Sequence, residues 1–70
     1  MMIKVYSNYV ACDSHDEAIK AQVIITNAMC HIPNICNDRE MFLVEHELGE
    51  YKMQELLTEV GLVCKLDSQK

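Results

Sequence analysis

The chain has 70 residues, half of them hydrophobic, and carries a formal net charge of −5 from six Lys and Arg against eleven Asp and Glu. No window concentrates Lys or Arg and no apolar run is long enough to cross a bilayer, which argues against direct nucleic-acid binding and against a membrane protein. A sequence this short makes one domain at the lower limit of independent folding, burying only roughly 60% of its unfolded surface, so its apolar content predicts a homodimer or a docked partner.

The first element is β-prone. Met2-Ile3-Lys4-Val5-Tyr6 has the alternation of a half-buried strand, and the pattern extends to Tyr9 and Val10. Asp13-Ser14-His15-Asp16-Glu17 then marks a strand-to-helix step. Ser14 stands three residues before Glu17, the spacing of a capping box: the Ser hydroxyl accepts the Glu17 N–H and the Glu carboxylate returns to the Ser14 N–H. Asp16 adds negative charge at the positive end of the helix dipole. From His15 to about His31, apolar residues at 18, 19, 21, 23, 24, 25, 28 and 29 exceed a single stripe. This helix is therefore expected to be buried on more than one side, against its own sheet and against a second copy.

His31 to Glu40 contains the single proline, Pro33, with Asn34, Asn37 and Asp38, and reads as a loop. Met41-Phe42-Leu43-Val44 admits two readings. As a strand it places Phe42, Val44, His46 and Leu48 on one face; as a helix from Asp38 through Leu48, capped by Asn37 and Glu40, it places Met41, Val44 and Leu48 on one stripe. The short, bounded apolar run and Gly49 favour the strand. Glu50 to Val60 is a clearer helix, with Met53, Leu56, Leu57 and Val60 on one stripe and Gly61 as a left-handed stop. Leu62 to Leu66 alternates as a last strand, and residues 67–70 read as a frayed tail. The prediction is a single small α/β (α+β) domain over residues 1–66 in the order β-α-β-α-β, with two helices on a three-stranded sheet.

Cys12 and His15 carry the sharpest chemical signal, a C-x-x-H spacing at a helix start, where the dipole favours a thiolate. With the strand Ile3-Lys4-Val5-Tyr6 before them and a helix like Glu55-Leu56-Leu57-Thr58-Glu59-Val60-Gly61 near the end, they resemble thioredoxin-like and glutaredoxin-like proteins. That resemblance implies a thiol-redox or metal-binding protein centred on Cys12 and His15. His15 occupies the position of the second cysteine, and the proline preceding that family's substrate-binding strand has no counterpart. A zinc site drawn from Cys12, His15, Cys30, His31 and Cys36 has poor spacing, because adjacent Cys30 and His31 diverge on a helix and Cys36 lies too far on for a knuckle. No metal and no cofactor are expected.

In Glu45-His46-Glu47 a strand puts the carboxylates on the face opposite the imidazole, and neither a phosphate-binding glycine loop nor a G-x-S-x-G elbow is present. The chain therefore reads as a non-enzyme. Without a charged-then-apolar leader pattern, and with Cys12, Cys30, Cys36 and Cys64 read as reduced thiols, it is expected in the cytoplasm. The leading expectation is a protein-binding module whose acids Glu45, Glu47, Glu50, Glu55 and Glu59 meet a basic surface, such as that of a nucleic-acid-binding protein. Its small size, acidity and apolar excess resemble in general character the phage-encoded inhibitors of host defence, anti-CRISPR proteins included, which implies the host cytoplasm. A structural accessory subunit is the further alternative.

Overall fold

The computed structural model describes residues 3–66; the tail expected at 67–70 lies outside the described residues, as does Met2. Seven elements follow one another: β1 (Ile3–Val5), β2 (Tyr9–Cys12), α1 (His15–Met29), β3 (Ile35–Asp38), β4 (Met41–Glu45), α2 (Glu50–Glu59) and β5 (Cys64–Leu66). The class is mixed α and β, but the sheet has five strands in the order β3-β4-β2-β1-β5. The three-stranded sheet and the β-α-β-α-β order are thus corrected to two ββα units and a closing strand.

Both extra strands come from hairpins, one turning at Ser7-Asn8 inside the β-prone run and the other at Arg39-Glu40, a turn with neither glycine nor asparagine. The first β-prone run is broken at Ser7-Asn8, where the Tyr6 N–H donates to the Tyr9 carbonyl at 2.8 Å and the chain folds back to pair Val5 with Val10. The segment read as a loop holds β3, which pairs antiparallel with β4 from Ile35 opposite Val44 to Asp38 opposite Met41. Arg39 makes that turn at φ 62°, a left-handed conformation costing a non-glycine residue about 1–2 kcal/mol. Residues 41–45 are strand rather than helix.

Ser14 caps α1 by accepting the Glu17 N–H at 3.2 Å, but the reciprocal half of the box is not made, and Glu17 Oε1 is buried without a hydrogen-bond partner. The helix ends at Met29, two residues before the expected His31, and is capped by a left-handed Cys30 (φ 64°) whose N–H donates to the Thr26 carbonyl. Gly61 ends α2 as read: its N–H donates to the Thr58 carbonyl and the Leu62 N–H to the Leu57 carbonyl, each at 3.0 Å, the bond pair of a Schellman stop.

The strand registers place Ile3, Val5, Val10, Cys12 and Val44 on one sheet face, all fully buried. Ala18, Ala21 and Ile25 of α1 and Met53 and Leu57 of α2 complete that single core. Both helices therefore cover the same side. The first helix is buried along one stripe only, since Ile19 and Val23 on its outer side are 40% and 54% exposed. On the opposite sheet face lie Lys4, Tyr9, Ala11, Met41, Leu43, Glu45 and Lys65, and no helix covers them among the described residues.

Candidate functional site

A recess of about 530 Å³ opens at the end of the sheet where β2 begins and β4 ends. Asn8 and Tyr9 form one side, Met29 and the linker Ile32-Pro33-Asn34 the other, and Leu43, Glu45, His46 and Glu47 close it. Its walls are tied together by polar contacts. The Gln22 side chain donates to the Pro33 carbonyl at 2.8 Å, and the Glu47 N–H points at Met29 Sδ at 3.3 Å. Tyr6 and Tyr9 stack with centroids 4.5 Å apart, 17° between planes.

His46 supplies the third tie. The Leu48 N–H donates to Nδ1 at 3.1 Å, so Nδ1 is the unprotonated nitrogen and Nε2–H is the one that donates to the Tyr6 carbonyl, also at 3.1 Å. The His46 backbone N–H donates to the Asn8 carbonyl at 3.0 Å. His46 is 1% exposed, and burial lowers its pKa against the opposing effect of its bonds to the backbone at Tyr6 and Tyr9. A neutral imidazole with both nitrogens committed to backbone has no site left from which to act as a general base.

The acids divide between two surfaces. Glu45 projects from the uncovered sheet face and Glu47 follows at the rim of the recess, both exposed and neither in an ion pair among the described residues. Glu55 and Glu59 lie one helical turn apart on the exposed side of α2, Glu55 in contact with Lys52 at 3.9 Å, while Glu50 opens that helix and is half-buried. The sheet thus stands between Glu45 and the helix that carries Glu55 and Glu59, while Glu47 and Glu50 flank the connection from β4 to α2.

No protein-family model, curated protein or solved structure matches this chain. What the site can do follows from its own chemistry.

Cys12 has the reverse of the environment that a reactive thiol requires. Strand alternation turns its side chain into the core, where burial, then Glu17 and Asp13, push its pKa up to about 12. His15 is exposed and lies edge-on to Phe42, the cross-strand neighbour of Cys12, at 5.5 Å between centroids, and makes no hydrogen bond to the thiol among the described residues. Cys30, His31 and Cys36 are exposed, and among the described residues no three His, Cys, Asp or Glu side chains converge as a metal site. The residues of the recess that sequence reasoning passed over, Tyr9, Met29, Ile32, Pro33 and Leu43, come from separate elements and share no local pattern. Glu45 and Glu47 were singled out in the sequence as charges beside an apolar strand, His46 as the imidazole between them, and His31 and Cys36 only as members of the zinc set.

Proposed function

We propose that this chain is a small non-enzymatic module that acts by occupying the surface of another protein. The observation that carries this reading is the one-sided packing of the sheet: with both helices on one face, Tyr9, Met41 and Leu43 stand on the other beside Glu45. Half-buried apolar groups ringed by charge are the makings of a protein interface. The unpaired carboxylates of Glu45 and Glu47 suit a basic partner, for which a nucleic-acid-binding protein of the host is the natural class if the chain acts as phage-type inhibitors do, in the cytoplasm. Exposed Ile19 and Val23, one turn apart on α1, suit pairing with a second copy.

Affinity capture from lysate at low and high salt, with the protein's mass measured by light scattering, tests this reading. A single partner released by salt and bound to a dimer is the expected result. Reversing Glu45 and Glu47 together should abolish capture, whereas reversing Glu55 and Glu59 should leave it intact. A well-folded protein that captures nothing, or whose capture ignores both pairs, counts against it.

A further inference from the structure

We propose that the recess receives an arginine side chain from the partner protein, with Tyr9 as its stacking surface and Glu45 as its carboxylate acceptor. The proposal deepens the binding-module reading and rests on it. Tyr9 and Glu45 are directly opposed in the β2–β4 register, so their side chains leave the same sheet face with Cβ atoms roughly 5 Å apart. Tyr6, stacked on Tyr9 at 4.5 Å, fixes the orientation of the aromatic surface. A planar guanidinium can lie against such a ring while donating two parallel N–H bonds to the neighbouring carboxylate.

Charge and shape select the same ligand. Two carboxylates, Glu45 and Glu47, line the recess with the imidazoles of His31 and His46, and no Lys or Arg does. Met29, Ile32 and Leu43 offer apolar wall to an arginine's methylene stem and to apolar neighbours in the partner segment. Lysine, a compact ammonium without a planar fork, uses only half of this arrangement. The Gln22–Pro33 and His46–Tyr6 bonds hold both walls before any ligand arrives, which limits the ordering cost of binding.

The test is an NMR titration of the full isotope-labelled chain with a capped pentapeptide carrying one arginine between two leucines. Saturable amide shifts at Asn8, Tyr9, Glu45 and Glu47 are expected, with affinity falling roughly tenfold when citrulline or lysine replaces the arginine and again in Glu45→Gln. Tyr9→Phe should keep the binding that Tyr9→Leu loses, and the spectrum of each variant reports its fold directly. No saturation, shifts centred on Ile19 and Val23, or equal binding of the citrulline peptide overturns the arginine site. If the peptide fails while Glu45 and Glu47 still govern capture of a protein partner, the arginine site alone is refuted; if capture fails as well, the binding-module reading falls with it.

Discussion

His46 Nε2 donates to the carbonyl of Tyr6 at 3.1 Å, joining the end of β4 to a turn forty residues earlier in the chain. Because the Leu48 N–H occupies Nδ1, this bond exists in one tautomer of the neutral ring. Protonation would set an N–H on Nδ1 against the Leu48 N–H and place a charge in a site closed to water.

Acid should therefore destabilise the fold through His46. Its folded pKa lies below the ordinary value of 6.5, so as pH falls below about 6.5 the unfolded chain takes up the proton first. The stability supplied by the neutral ring is complete above that pH and is lost progressively down to the folded pKa, at about 1.4 kcal/mol for each unit between the two. Thermal melts from pH 7.5 to 5 should show a larger fall in Tm for the native chain than for His46→Gln, whose amide carries no proton equilibrium. Parallel curves for the two proteins would show that the acid response lies elsewhere.

Thiol labelling should rank the cysteines by environment. Cys30 and Cys36 are exposed, Cys64 is half-buried and Cys12 is buried with its pKa raised to about 12. Pulsed alkylation at mildly alkaline pH, read by peptide mass spectrometry, should modify Cys30 and Cys36 first and Cys12 only after unfolding. Labelling of Cys12 as fast as Cys30 in the folded protein would restore the thiol reading centred on Cys12 and His15.

Gly61→Ala should cost about 1 kcal/mol or somewhat more, lowering Tm by several degrees, through backbone conformation rather than crowding. Gly61 has φ 86°, yet a Cβ built there meets nothing within 4 Å. Asparagine tolerates left-handed geometry better than alanine, so Gly61→Asn should recover part of the loss. Equal melting of the alanine and asparagine variants would mean that the Schellman stop does not set the cost.

Features encoded within a few neighbouring residues are legible in this sequence. The Ser14 cap, the strand at Met41–Val44, the helix from Glu50 and its stop at Gly61 each follow from spacing or from one residue's conformational preference. β3 was hidden because it is an edge strand with exposed Cys36, Asn37 and Asp38 and no buried alternation, and its turn is made by Arg39 where a glycine or asparagine would have announced it. The excess of apolar residues in α1 gave no clue to which of them would be left outside. That was decided by the two hairpins, which widen the sheet and put both helices on a single face. The recess belongs wholly to this second level: Tyr9 meets Glu45 across a strand register, and Met29, Pro33 and His46 arrive from separate segments. Local preference acts over a few bonds, whereas strand order and the choice of buried face are settled by the packing of the whole chain, and only then do these side chains share one site.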